Sequence, residues 1–216
     1  MNFFQAIILG IVQALTEYLP VSSSAHIRII GDLMLGADPG AAFTAIIQIG
    51  TELAVILYFR RDIINILSHW FGCLFGKNGP DWRARMGRGD KYATLGWNVI
   101  VGSIPIIILG FTLQNIIETS LRNLWITVTV LFLFGLLLWI VDARSRQIKT
   151  MDDMNYRDAF LFGLGQSMAL IPGVSRSGGT ITVGRALGYT RESAVRLSFL
   201  MAIPAVFGSG LLEAIK

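Results

Sequence analysis

The sequence has little of what most soluble enzymes rely on. Only 15% of its 216 residues are charged, it has two histidines, and Cys73 is its single cysteine. One cysteine excludes an intramolecular disulfide, and with His26 and His69 far apart there is no second Cys or close His pair to offer a zinc site. Redox compartment is therefore unreadable. The opening M-N-F-F-Q-A-I-I-L-G has no basic stretch and no small-residue cleavage site, so Met1 reads as the start of the mature protein. No soluble nucleic-acid-reading module is present, and the basic residues cluster between apolar runs. The net charge of +4 thus reads as cytoplasmic loops, not as a nucleic-acid footprint.

What is abundant is apolar. The chain is 53% hydrophobic with a mean hydropathy of +0.61, and its apolar runs are long. These features indicate an all-α polytopic integral membrane protein.

Against that background one stretch stands out: Pro172 to Thr180, P-G-V-S-R-S-G-G-T. An Arg near a bilayer centre costs at least ~2.5 kcal/mol on insertion scales, so it persists where it faces protein or a watery cavity and meets an anion. Gly173, Gly178 and Gly179 leave backbone amides uncovered, and a following helix N-terminus would add its dipole. The stretch reads as a phosphate cradle. The alternative is a small-residue helix-packing segment.

The same landmarks occur twice. Gly163, Gln166, Pro172, Ser175 and Gly188 echo Gly10, Gln13, Pro20, Ser23 and Gly36, at a spacing of 153 before the prolines and 152 from there on. Phe43–Val55 is loosely matched by Phe199–Leu211. Weak internal repeats with Gly/Pro-broken apolar segments point to a site where two halves of a membrane protein meet.

In order along the chain, 3–36 is expected to be a re-entrant helix–turn–helix: Gln13, Glu17 and Pro20 make 3–19 an awkward full span, and Ser22–His26 would form its turn. Residues 41–59 form a span with Gln48, Thr51 and Glu52 on its inner faces. The segment 60–96 reads as a cytoplasmic loop, with seven Lys/Arg against three Asp in 60–91 and an amphipathic piece around Ile63–Phe75. Spans at 97–117, kinked at Pro105, and 125–141 follow, then a second cytoplasmic loop at 142–158. Ala159 to Ile171 is too short to cross about 30 Å of hydrocarbon, so 159–188 is a second re-entrant pair, and 197–212 is the last span. The two copies form an inverted-topology repeat, 1–141 and 159–216, whose turns meet near the membrane midplane.

The residues converging there are Glu17, Ser22, Ser23 and His26 from one copy and Ser175, Arg176, Ser177 and Thr180 from the other. A carboxylate, a hydroxyl beside an imidazole, and an arginine with backbone amides make a phosphoryl-transfer set. Glu17 would be a metal ligand or general base, and Ser23 an activated nucleophile paired with His26, or else a phosphate-binding hydroxyl beside an attacking water. Structural roles compete with each of these: Glu17 as a partner of Arg176, His26 as an interface-facing ring, any one serine as a packing residue. Glu52 has no partner that the sequence can name and reads as structural.

Q-A-L-T-E-Y-L-P-V-S-S-S-A-H, Gln13 to His26, together with P-G-V-S-R-S-G-G-T, resembles the undecaprenyl-diphosphate phosphatase family, the bacitracin-resistance membrane phosphatases of bacteria. The resemblance covers essentially the whole chain. It implies hydrolysis of undecaprenyl diphosphate at the outer side of the cytoplasmic membrane, with Mg²⁺ or Ca²⁺ as cofactor. The family's E/Q-x-x-x-E motif falls on Gln13 and Glu17, so both are expected at the metal. Its Ser-x-x-His falls on Ser23 and His26, and its arginine motif on Ser175, Arg176 and Ser177. Gly173, Ser22, Gly178 and Thr180 complete the expected phosphate-binding set. Gln at position 13 removes one anionic ligand from that motif. Relative to the family and to the repeat, two further helices would be expected beyond Leu212. The expected partners are a polyprenyl diphosphate and membrane lipids and no nucleic acid, with a homodimer left open. A lipid-phosphate transporter or flippase using the same cradle is the alternative, because broken helices converging at the midplane are transporter architecture.

Overall fold

The computed structural model describes residues 1–113 and 124–215, so the end of the expected span 97–117 and the link at 118–123 lie outside the described residues. The described residues form helices α1 (Phe3–Glu17), α2 (Ser23–Leu35), α3 (Ala41–Tyr58), α4 (Arg60–Leu74), α5 (Trp82–Arg85), α6 (Lys91–Thr112), α7 (Leu124–Arg144), α8 (Tyr156–Ser167), α9 (Arg176–Ala186) and α10 (Arg191–Ile215). Short 3₁₀ turns lie at Met151–Asp153 and Met168–Leu170. No strand occurs among the described residues, so the all-α expectation holds.

Helix starts follow capping chemistry more closely than hydropathy. Asn2 and Gln5 form a reciprocal capping box at α1, while Asp90 accepts the Ala93 amide at α6 and Asn155 the Asp158 amide at α8. Residues 60–96 are largely helical, and α4 coincides with the amphipathic piece expected around Ile63–Phe75. Arg60 continues from α3 into α4, and the Asp90 cap starts α6 well before Trp97. Apolar runs mark where a helix meets lipid, not where it ends. For the same reason α10 begins at Arg191, ahead of the expected Leu197.

The segments Lys91–Thr112 and Trp125–Arg144 are long and apolar enough to cross a membrane. Twenty-two residues at 1.5 Å each reach about 33 Å, against about 30 Å of hydrocarbon. Only 6% of the most apolar window in Trp125–Arg144 is buried within the protein. Phe3, Leu33, Phe75, Trp125 and Phe132 are all at least 70% exposed. So much bare apolar surface is stable in lipid and a liability in water.

α8 lies at the centre, held by close backbone approaches. A Cβ on Gly163 would collide with the Gly102 carbonyl of α6, and one on Gly165 would sit 2.8 Å from the Gly179 carbonyl of α9. Phe162, Tyr189, Ala194, Leu197 and Met201 fill the adjoining core. One end is pinned by charge. Arg185, fully buried, donates to Asp142 at 2.5 Å and to the Tyr189 carbonyl at 2.7 Å. Lys149 and Tyr189 both reach Asp158 at 2.8 Å. Burial, reinforced by that Asp158 contact, pushes the Tyr189 phenol far above its ordinary pKa.

Candidate functional site

The site is assembled from two helix–turn–helix units, α1–α2 and α8–α9. In the first, α1 ends at Glu17 and the chain turns through Pro20 to Ser22, whose φ of 63° lies in the left-handed region that non-glycine residues rarely enter. Such strain costs on the order of 1–3 kcal/mol and clusters at functional sites. It places the Ser22 carbonyl against the next turn, where it accepts from the His26 amide at 3.3 Å and contacts His26 Nδ1 at 2.9 Å. Ser23, first residue of α2, donates its hydroxyl to Glu17 Oε2 at 2.5 Å. Gln13, one helical turn before Glu17, donates Nε2 to the same oxygen at 2.9 Å.

In the second unit the turn depends on Gly173, whose φ is +99° and where any Cβ would run into the Thr127 backbone. Ser175 then caps α9 by accepting the Gly178 amide at 3.1 Å. Arg176, first residue of α9, reaches across to the other unit: Nη2 donates to Glu17 Oε1 and to Glu52 Oε1, both at 2.8 Å. Ser177 donates to the Leu19 carbonyl at 3.4 Å. The two turns are thus in contact, and the carboxylates are secluded, with side chains 9% (Glu17) and 5% (Glu52) exposed.

The expected pairing of Ser23 with His26 does not occur. Both residues sit on the first turn of α2, where Ser23 faces Glu17 and His26 is tied by Nδ1 to a backbone carbonyl. A protonated Nδ1 facing that carbonyl leaves Nε2 as the basic nitrogen. His26 instead lines a cavity of about 280 Å³ with Pro20, Gly173, Ser175, Gly178 and Gly179. The expected phosphate-binding residues divide similarly. Gly178 gives its amide to the Ser175 cap, and Thr180, fully buried, returns its hydroxyl to the Arg176 carbonyl at 2.7 Å. The amides of Arg176 and Ser177, in the first turn of α9, have no intrahelical acceptor and are the donors a helix N-terminus offers to an anion.

Two residues at the site have no functional role in the sequence reading, which leaves Glu52 structural. Glu52 on α3 is 4% exposed and shares Arg176 with Glu17, and Tyr18 donates to the neighbouring Thr51 carbonyl at 3.1 Å, tying α1 to α3. A signal for Glu52 existed, since a lone ionisable residue inside an apolar run is a site candidate by default. What the sequence could not supply was its partner, 124 residues away. Beside Tyr18 a larger cavity of about 600 Å³ runs between α3 and α10, walled by Val55, Tyr58, Phe59 and Phe199, with Arg196 at its edge.

No group of three or more His, Cys, Asp or Glu that could hold a metal ion occurs among the described residues. The local donors are nonetheless all oxygens, and Gln13 Oε1 and Glu52 Oε2 are buried without a partner. Such a set suits a hard divalent cation that completes its shell with water or phosphate oxygens.

A secluded arginine shared by two carboxylates, between the turns of two helical hairpins, marks an all-helical membrane protein with a charged site enclosed among apolar helices. The chain belongs to the family described as bacitracin resistance protein BacA, whose model matches residues 6–216. It is similar to the undecaprenyl-diphosphatase of Bifidobacterium longum (strain DJO10A), with 91% identity over all 216 residues and 74% of that protein's length. The protein of the same name from Bifidobacterium adolescentis is 73% identical over the same share of both chains. That of Paenarthrobacter aurescens is 55% identical, over the whole of this chain and 76% of its own.

Proposed function

We propose that the protein hydrolyses undecaprenyl diphosphate to undecaprenyl phosphate and inorganic phosphate, recycling the lipid carrier for peptidoglycan and other wall polymers and conferring bacitracin resistance. The family and the relatives' name support the reaction, and the site supplies a means. The observation that carries it is the chain Ser23–Glu17–Arg176, at 2.5 and 2.8 Å. Arg176 Nη1, buried and without a partner among the described residues, is the open prong of a planar fork suited to a phosphate.

In the proposed mechanism the Ser23 oxygen attacks the terminal phosphorus as Glu17 takes its proton, and the bridging P–O bond breaks to release undecaprenyl phosphate. Water then cleaves the phosphoserine, giving inorganic phosphate and restoring Ser23, with His26 Nε2 as its general base. Arg176 and the first amides of α9 balance charge on the transferred phosphoryl group. Gln13 and Glu17 would hold a Mg²⁺ or Ca²⁺ ion, which when bound supplies further charge neutralisation at the phosphate. Purified protein in detergent, where no compartment exists to transport across, is expected to release phosphate from undecaprenyl diphosphate. Binding without release would favour the transporter alternative.

The arrangement we infer places both hairpins as re-entrant segments of an inverted repeat in the bacterial cytoplasmic membrane, with the site opening outward. α8, at 12 residues, reaches only about 18 Å, too short to cross. The basic residues of 60–91 and Arg144–Arg157 support a cytoplasmic location for those stretches. Cysteines placed at Gly79 and Gly40 in a Cys73→Ala background should label from opposite sides of intact cells with an impermeant thiol reagent. Labelling of both from outside would refute this topology.

A further inference from the structure

We propose that Glu52 is a positioning residue of the active site, holding the Arg176 guanidinium in place while Glu17 does its chemical work. The two carboxylates meet the same arginine nitrogen at equal distances of 2.8 Å, from different helices, α1 and α3. One positive charge therefore faces two negative ones, and all three side chains are at most 16% exposed. A purely structural ion pair needs only one carboxylate, and a surplus buried charge is costly. The surplus has a use. Glu17 holds Ser23 on one oxygen and Arg176 on the other; once it takes the Ser23 proton its charge, and with it its hold on Arg176, is lost, and the second carboxylate keeps the guanidinium where it is.

Two further observations fit this division of labour. Glu52 Oε2 is buried with no hydrogen-bond partner, so Arg176 is the one group that fixes its carboxylate among the described contacts. The residue before it, Thr51, has its carbonyl bonded to Tyr18, the residue after Glu17. The α1–α3 register is thus locked immediately beside the shared arginine. In this chain position 13, where the resemblance allows Glu or Gln, is Gln, and Glu52 restores a second negative charge from another helix.

The inference rests on Glu17 and Arg176 acting on the diphosphate as proposed above. Its test compares Glu52→Gln, which keeps shape and removes charge, with Glu52→Asp, which keeps charge on a shorter arm. Phosphate release from undecaprenyl diphosphate is measured beside thermal unfolding in detergent. Loss of one charged hydrogen bond predicts a kcat lower by about ten- to a hundredfold in Glu52→Gln. Glu52→Asp should recover part of that loss, and the melting temperature should move by only a few degrees. In an Arg176→Lys background Glu52→Gln should add less than about threefold, because residues acting through one another are not additive. Unchanged kcat, a fall in melting temperature alone, or a full extra loss in the Arg176→Lys background would each overturn the inference. If Glu52→Gln does not fold, Glu52→Asp carries the same comparison: a kcat below wild type that shrinks in the Arg176→Lys background is expected, and either wild-type kcat or a full extra loss in that background would refute the inference. If Glu17→Gln and Arg176→Lys were themselves fully active, the underlying reading of the site would fail instead.

Discussion

The two helical hairpins share their landmarks and differ in their surroundings. In α1–α2 only Leu9, Gln13, Ala25, Ile27 and Gly31 are buried within the helices, while Phe3, Phe4, Ile11 and Leu15 lie bare on the outside. In α8–α9 the reverse holds: seven of 12 residues of α8 and eight of 11 residues of α9 are buried. The first hairpin is apolar because lipid is its solvent. The second can be polar and glycine-rich because protein surrounds it, and its hydroxyls turn back on their own helix, as Thr180 and Thr182 do at 2.7 Å. Polarity in a membrane sequence therefore marks enclosure, not exposure. The hairpins also bring different groups to the site, the first a carboxylate, hydroxyls and an imidazole, the second an arginine and helix-start amides.

Matched substitutions at equivalent positions separate the two environments. The largest difference is expected at the glycines. Gly163→Ala would drive a Cβ into the Gly102 backbone, whereas the same change at Gly10 meets open space. Gly163→Ala should lower stability in detergent by several kcal/mol or abolish folding, while Gly10→Ala should be neutral or stabilising by about 0.5–1 kcal/mol through helix propensity. Equal effects would remove the distinction between an enclosed and a lipid-facing hairpin.

A smaller contrast lies at the serines. Ser23→Ala removes the group bonded to Glu17 and should cut turnover severely with little change in folding. Ser175→Ala removes a helix cap and should cost about 1 kcal/mol of stability, with a weaker effect on rate. Rapid-quench mass spectrometry supplies the chemical half of this comparison: a phosphate adduct on Ser23 that forms and decays as fast as product appears is expected, and substantial activity in Ser23→Ala would leave direct water attack as the mechanism.

The smallest effect is expected at the paired glutamines. Gln13 and Gln166 are both at most 1% exposed and both leave amide oxygens unpartnered, but only Gln13 touches Glu17. Gln13→Glu should change divalent-cation affinity, read by calorimetry without turnover, more than it changes stability, and Gln166→Glu should not tighten binding. An unaltered cation titration in Gln13→Glu would place Gln13 outside the metal's shell.

Much of this was legible in the sequence, for definable reasons. Helices α6 and α7 announced themselves by apolar length, and the turns at Pro20 and Pro172 by breakers and a repeated spacing. The meeting of Glu17 with Arg176 follows from the repeated landmarks that bring the two turns together, with their direct pairing weighed as the structural role for Glu17. Three features did not follow. The start of α6 at Lys91, ahead of Trp97, depends on the Asp90 cap, which hydropathy does not register. The pairing of Ser23 with Glu17 in place of His26 depends on where α2 begins, since a shift by a few residues re-aims every side chain of its first turn. The partner of Glu52 depends on α3 packing beside α1 and the start of α9, a tertiary fact with no local trace.

Glu17 of the first hairpin and Arg176 of the second are expected to act as one unit on the diphosphate. Single-turnover rates of phosphate release from undecaprenyl diphosphate, measured for Glu17→Gln, Arg176→Lys and the two combined, test it most directly. The expected result is a loss of about a hundredfold or more in each single variant, with the double variant no slower than the slower single. Losses that multiply in the double variant, or near-wild-type release from either single one, would contradict it.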